Sequence, residues 1–385
     1  MKKLNVAIIG YNFMGKAHSN AWLNAKHFFS LPAEPVLKVA VGRHIEPLTA
    51  FADNWGWEEV ATDWREVVAR PDVDIVDVST PTVLHYEIAL AAAKAGKHIF
   101  LEKPFALNVA QSEEMVAAAQ KAGVVNYVNH NYRRAPAVQL ARQLIDDGKI
   151  GRIFHWRGAY LQDWIVDPDF SLTWQLQKEQ AGAGPQWDLN SHSVDLARFL
   201  VGDISSVVAM ATTFIKERPL PSSVTATAFK GGEVSQEKGP VTVDDAAFMV
   251  AQFANGALGA FEASRFASGR KNFNYFEIYG DKGSLAFNLE RMNELQFFSR
   301  EDPANAQGFR TILATESVHP YVGAWWPPGH IIGYEHEFSH AVVDFVNTVV
   351  NGGAIHPDFY DGLQVIKVLE AGLESARTGQ KVEIK

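Results

Sequence analysis

No cysteine occurs anywhere in the 385 residues. That absence excludes disulfides, thiolate nucleophiles and any metal or iron–sulfur site built on cysteine, and it fits a reducing cytoplasm. A basic excess is missing as well. Lys and Arg number 35 against 44 Asp and Glu, a formal net charge of −9, so nothing drives attraction to a phosphate backbone and nucleic acid is not expected as a partner. No apolar run approaches the length of a membrane span, and no membrane partner is expected. Met1-Lys2-Lys3 could open an export signal, but the apolar run Val6 to Ile9 stops at Gly10, so a cytoplasmic location is expected. With 47% hydrophobic and 21% charged residues, the composition is that of a globular protein, in a chain too long for one ordinary core.

The first 130 residues alternate strand and helix patterns. Apolar strands are read over residues 4–9, Val36–Val41, Asp74–Val78, His98–Leu101 and Val124–Val128, and helices from the Gly10–Gly15 turn to about Phe29 and over Glu46–Trp55, Val83–Ala95 and Val109–Ala122. Such alternation implies a parallel, doubly wound α/β sheet. After a helix at Pro136–Asp147 the pattern changes. Alternating, β-like runs at Ile153–Gln162, Val207–Ile215, Ala246–Phe253, Ala257–Phe266 and Phe273–Tyr279 are separated by turn signals such as Asn255-Gly256. Residues 131–385 are therefore expected to form an α+β domain with a large, mainly antiparallel open sheet. Arg218–Pro240 reads as a surface loop, Asp188–Val201 as a helix, and Glu335–Val350 as a late helix that packs back on the body.

The stretch Lys97-His-Ile-Phe-Leu-Glu-Lys103-Pro104 ends an apolar strand in a carboxylate, an ammonium and a proline. Pro104 cannot continue a ladder, and the carboxyl ends of strands are where open α/β sheets bind ligands, so Lys103 is a candidate working lysine. Gly10-x-x-x-x-Gly15 lies between the first strand and first helix, where a dinucleotide fingerprint belongs. Asn12 replaces the middle glycine, and asparagine tolerates the left-handed region better than most residues. The second strand ends Val41-Gly42-Arg43-His44 with no acidic residue to hold a ribose. Arg43 could instead neutralise a 2′-phosphate, which favours NADP over NAD. Ser79-Thr80-Pro81-Thr82 offers hydroxyls at another strand end, and Thr82 is a candidate helix cap.

Asp188, His192 and Asp195 fall at i, i+4 and i+7, so one helix through them would present all three on one face. A carboxylate one turn from an imidazole suits a general base. His336-Glu-Phe-Ser-His340 matches the H-E-x-x-H pattern of zinc proteases but lacks a third downstream ligand, and the apolar stripe Phe338, Val342, Phe345, Val346 and Val349 explains the helix better, so no metal is expected. Trp164, Trp174, Trp325 and Trp326 lie near amide or charged groups, with Gln162 close to Trp164. Such rings can stack on sugar faces, although most tryptophans simply pack.

These segments, with Val6–His18, Ser79–Thr82 and His85, Ala95–His98 followed by Glu102-Lys103-Pro104, Asn131–Arg134 and Asp188-x-x-x-His192-x-x-Asp195, resemble the Gfo/Idh/MocA oxidoreductases over nearly the whole chain. The resemblance implies an NAD(P)-binding Rossmann domain and a sheet domain that joins subunits into a homodimer or homotetramer. It implies cofactor contacts at Gly10, Asn12, Phe13, Met14, Gly15, Arg43, Ser79, Thr80, Pro81, His85, Glu102 and Lys103. Lys103 would hydrogen-bond the reacting hydroxyl, His192 would take its proton, Asp188 and Asp195 would orient base and substrate, and Tyr132, Arg133, Gln162 and Trp164 would meet the sugar. The implied activity is hydride transfer between a secondary hydroxyl of a pyranoside, anhydrosugar or cyclitol, with C3 a candidate carbon, and the nicotinamide. Alternatives are a redox-neutral enzyme cleaving glycosides through a transient 3-keto sugar, and a non-catalytic sensor of cofactor or sugar. Gln186-Trp187 before Asp188, where the family carries small or aliphatic residues, is expected to set an aromatic at the substrate pocket.

Overall fold

A computed structural model describes residues 2–222 and 234–385. Its first strands and helices run β1 (Lys2–Ile9), α1 (Phe13–Phe28), β2 (Ala33–Val41), α2 (Ile45–Trp55), β3 (Glu59–Ala61), α3 (Trp64–Val68), β4 (Ile75–Val78), α4 (His85–Lys94), β5 (His98–Leu101), α5 (Val109–Ala122) and β6 (Asn126–Val128). All the strands pair in parallel in the order β3-β2-β1-β4-β5-β6. A parallel sheet covered on both faces should be apolar throughout. Val6–Ile9, Ile99–Leu101 and most of β4 obey this, while Asp77, fully buried within β4, does not. The strand order reverses between β1 and β4, and the crevice beyond their carboxyl ends is where such sheets take ligands.

Local signals account for the element ends. Asn108 caps α5 by accepting from the Gln111 N–H, and Gly123, at φ 65°, closes it. Thr82 does not cap α4: it opens a 3₁₀ turn, Thr82–Leu84, and Leu84 takes the cap position. Gly10 has φ 110°, and a Cβ there would lie 2.6 Å from the Ser79 carbonyl oxygen; one on Gly15 would lie 2.3 Å from the Gly10 oxygen. The first and last glycines are thus required by close backbone approach. Asn12 sits at φ −78°, so the middle position never uses the left-handed region and needs no glycine.

The chain continues through α6 (Pro136–Asp146), β7 (Ile153–Leu161), α7 (Lys178–Ala181), α8 (Pro185–Asp188), α9 (Asn190–Leu200), β8 (Ile204–Thr212), β9 (Glu217–Pro221), β10 (Val234–Pro240), β11 (Ala246–Phe253), β12 (Leu258–Ser264), β13 (Phe273–Gly280), β14 (Gly283–Asn288), β15 (Glu294–Ser299) and β16 (Arg310–Leu313). It closes with α10 (Tyr334–Asn351), α11 (Phe359–Thr378) and β17 (Val382–Glu383). Nine strands form one sheet in the order β16-β15-β14-β13-β7-β12-β11-β8-β17, antiparallel except where β12 meets β7.

Two compact units result. One holds residues up to Ala135 together with Tyr321–Gln364, so that α10 lies on α1 and its Phe338, Val342, Phe345 and Val346 join the core under the parallel sheet. The other holds Pro136–Pro320 and Val365–Lys385. Two expectations fail. Part of the expected 218–240 loop is an antiparallel hairpin of β9 and β10, because Arg218 is buried with its guanidinium on the Ile165 and Asp167 carbonyls; residues 223–233 lie outside the described chain. The expected helix over 188–201 is two helices. At Leu189 the winding tightens, with the His192 and Ser193 amides both reaching the Leu189 carbonyl.

Candidate active site

In the first unit the candidate cofactor residues collect at strand ends. Asn12, Phe13 and Arg43 are exposed, Met14, Ser79, Thr80, Pro81 and Lys103 are half-buried, and Gly10 and Gly15 form the close turn between them. A Cβ on Gly42 would come within 2.2 Å of the Tyr11 ring, which explains a glycine just before Arg43. These features fit a dinucleotide: a helix N-terminus with bare glycine backbone, and no acidic side chain directly after β2.

His85 and Glu102 occupy different surroundings. His85 is wholly buried between the Thr80 and Pro104 carbonyls, each 3.0 Å from a ring nitrogen; burial lowers its pKa, and the neutral ring donates to one of the two carbonyls. Glu102 is buried too. Its Oε1 accepts from His18 Nε2 at 2.9 Å and Asn129 Nδ2 at 2.6 Å, and its Oε2 accepts from the Lys103 N–H at 3.2 Å. On the far side of His18, Nδ1 meets Asp77 Oδ1 at 2.7 Å. Burial alone would lower the His18 pKa, but the charges and hydrogen bonds of Asp77 and Glu102 push it up to about 10. Burial would likewise raise Glu102, yet His18, Lys103 and Asn129 hold it below its ordinary value.

Tyr132 and Arg133 are both buried in the first unit, Tyr132 near the Tyr334 ring and Arg133 with Nη2 3.9 Å from Asp361. The H-E-x-x-H residues are committed to packing. His340 Nδ1 donates to the Arg134 carbonyl, its Nε2 accepts from Trp325 Nε1 at 2.7 Å, and burial lowers its pKa to about 3. Glu337 is fully buried, which raises its carboxyl well above the usual range, and it accepts from Asn131. Among the described residues one grouping has metal-ligand spacing, His356, Asp358 and Asp361. Its groups already bond one another at the start of α11.

In the second unit a polar chain joins most of the expected residues. The Tyr160 ring meets His192 edge to face at 5.7 Å, and its hydroxyl donates to Asn272 Oδ1 at 2.7 Å. Gln162 donates to the same oxygen and accepts from Trp164 Nε1 at 2.8 Å. Arg265 lies 5.2 Å from the Trp164 ring and donates to Asp188 Oδ2 at 2.6 Å. Arg265 thus holds one oxygen of the Asp188 carboxylate, one turn before His192 in the chain. His192 and Asp195 are buried on α9. Asp244 starts α8 by accepting from the Gly184 and Gln186 N–H groups, and a Cβ on Gly184 would strike the Asp244 carbonyl. Trp187 is buried, with its indole packed against Gly182. Arg265, Asn272, His18 and Asp77 were not anticipated. The available signal was a charge inside apolar strand patterns, Asp77 in β4 and Arg265 just past β12.

A pH dependence follows from His18. Its pKa is higher folded than unfolded, so its stabilising contribution is complete below the ordinary value of 6.5 and is lost as pH rises through about 10. The unfolding free energy of the protein minus that of His18→Gln, measured by urea titration, should shrink between about pH 7 and about pH 10.5. A difference that stays constant over that range would refute the buried imidazolium.

Among the described residues no helix is long and apolar enough to cross a membrane. Residues 4–130 match the oxidoreductase family with an NAD-binding Rossmann fold, and residues 138–286 match the GFO/IDH/MocA C-terminal domain. Levoglucosan dehydrogenase of Pseudarthrobacter phenanthrenivorans is 45% identical, over 100% of this chain and 99% of that protein. An oxidoreductase domain protein from Kribbella flavida superimposes with a TM-score of 0.95 at 51% identity, each chain covered in full. Levoglucosan dehydrogenase in complex with NADH and levoglucosan superimposes with a TM-score of 0.94 at 44% identity, again over both whole chains. On these matches, the chain belongs to the GFO/IDH/MocA family of oxidoreductases.

Proposed function

We propose that the protein is an NAD(P)-dependent sugar dehydrogenase that takes hydride from a secondary carbinol carbon of a pyranose, with an anhydrosugar of the levoglucosan type as first candidate and C3 as the candidate carbon. The observation that carries this reading is the 45% identity to levoglucosan dehydrogenase over the whole chain. The bound nicotinamide supplies the hydride acceptor. The chain's own residues supply the rest. A hydroxyl proton is too weakly acidic to leave unaided, so His192 accepts it while the Lys103 ammonium stabilises the oxygen as charge develops. Asp188, clamped by Arg265, and Asp195 orient the base and the sugar. Gln162, Trp164, Tyr132 and Arg133 recognise hydroxyls and the ring face. A redox-neutral route is distinguished by release of cleaved product with no net reduced cofactor.

The cofactor is assigned to the Gly10–Gly15 turn, Arg43, Ser79, Thr80, Pro81 and Lys103, with His85 and Glu102 acting behind them. The end of β2 favours NADP, because exposed Arg43 can meet a 2′-phosphate and no carboxylate directly follows the strand to hold a free ribose hydroxyl. The related complexes with NADH support the opposite choice. The cysteine-free composition supports a cytoplasmic location. A homo-oligomer is supported by the open sheet face, where Met210, Phe248, Val250 and Leu258 are exposed on one side of β8, β11 and β12.

With levoglucosan as substrate, Lys103→Met and His192→Ala should each lower kcat by roughly 10²- to 10⁴-fold while still binding reduced cofactor by fluorescence. Full turnover in either overturns the assignment. Arg43→Ala should raise KM for NADP about tenfold or more and leave KM for NAD nearly unchanged; a wild-type enzyme strongly preferring NAD contradicts the NADP reading. Val250→Glu together with Phe248→Glu should shift the protein to monomer in light scattering, and an unchanged mass would place the interface elsewhere.

A further inference from the structure

The first unit contains a buried ion cluster in which His18 and Asp77 have no part in the proposed chemistry. Asp77, His18 and Glu102 are all buried, in line, with 2.7 Å and 2.9 Å between successive partners. Trp22 Nε1 donates to Asp77 Oδ2 at 2.7 Å, Ser79 Oγ lies 3.3 Å from both His18 Nδ1 and Asp77 Oδ1, and the Phe100 and Phe338 rings wall the imidazole. Burying three charged groups is costly, and apolar residues of similar volume would pack as well or better. Stability alone therefore gives no reason for the cluster.

Its placement suggests another role. The cluster joins α1, β4 and the end of β5, and Asn129, just past β6, adds a second donor to the same Glu102 oxygen. The Glu102 N–H donates to the Val78 carbonyl at 2.9 Å, extending the ladder beyond β5. The other Glu102 oxygen receives the N–H of Lys103, the next residue. One carboxylate is thus fixed on one side by His18 and holds on the other the backbone that presents the lysine. We propose that His18 is a positioning residue for Lys103, acting through Glu102 to set where the strand end delivers the ammonium. The charges support this: burial would raise the Glu102 pKa, but the hydrogen bond and charge of His18 oppose it, and the carboxylate stays ionised beside Lys103. The inference rests on the catalytic role proposed for Lys103.

The geometry separates two variants. An amide nitrogen in His18→Gln reaches toward Glu102 as Nε2 does, whereas in His18→Asn it falls near the Nδ1 position and faces Asp77. Levoglucosan turnover, cofactor affinity and melting temperature would be measured for both, for Asn129→Leu, for Lys103→Met, and for His18→Asn combined with Lys103→Met. His18→Asn should lose roughly 10- to 100-fold in kcat, His18→Gln should recover most of it, and Asn129→Leu should show a partial loss. Adding His18→Asn to Lys103→Met should cost nothing further, since a residue that acts only through Lys103 has no effect once Lys103 is gone. Wild-type kcat in His18→Asn alongside an inactive Lys103→Met overturns the positioning role and leaves Lys103 catalytic. Additive losses in the double variant overturn it as well. A fully active Lys103→Met overturns the function proposed for the lysine itself. Should His18→Asn fail to fold, Asn129→Leu and His18→Gln decide: wild-type kcat in Asn129→Leu with full loss in His18→Gln overturns the inference.

Discussion

A buried imidazolium held between two carboxylates fixes the carboxyl end of the parallel sheet. His18 lies on the inner face of α1 and spans from Asp77, in the middle of β4, to Glu102, the residue after β5. Such a cluster survives away from water only if every charge is paired and hydrogen-bonded. Trp22, Ser79 and Asn129 complete those partners, and their spacing therefore constrains α1, β4, β5 and the segment after β6 together. Turn geometry adds to it. Gly10 and Gly15 leave no room for a side chain against Ser79 and against each other, so the first helix N-terminus is set by the same strand ends.

The second unit solves a parallel problem with different chemistry. Its acidic residue, Asp188, is drawn into an ion pair with Arg265, which is itself buried near the Trp164 ring. Gln162, Asn272 and Tyr160 continue from that ring to the edge of His192. A histidine with a fixed aromatic neighbour and a carboxylate with a fixed cation suit a base that must be oriented before the proton moves. Both units thus fix their polar groups by partners distant in sequence.

That distance limits what the sequence reveals. β5, β11 and α5 are legible to the residue, because their apolar periods are regular and α5 carries an Asn cap and a terminal glycine. The place of Lys103 just past a strand end is legible as well. The β9–β10 hairpin is hidden because a polar composition suggests solvent, whereas Arg218 is buried on backbone carbonyls. Helix α11 carries Gly362 and Gly372, which weaken a helical pattern; a Cβ at the first would crowd Phe105 and Val128, and at the second Gln186. The i, i+4, i+7 spacing of Asp188, His192 and Asp195 carries no sign that the winding tightens at Leu189, or that Asp188 also pairs with Arg265, 77 residues on. Asp77, Glu102 and His18 meet across separations of 59 and 84 residues, and only an acid inside an apolar strand hints at it.

Hydride transfer from a sugar carbinol carbon to the nicotinamide is the step on which the proposed function turns. Levoglucosan carrying deuterium on its ring carbinol carbons, incubated with the enzyme and oxidised cofactor, provides the direct measurement by proton NMR of the cofactor product. Deuterium at C4 of the reduced nicotinamide is the expected result. Reduced cofactor carrying only protium, or sugar consumed with no deuterium reaching the cofactor, would contradict it.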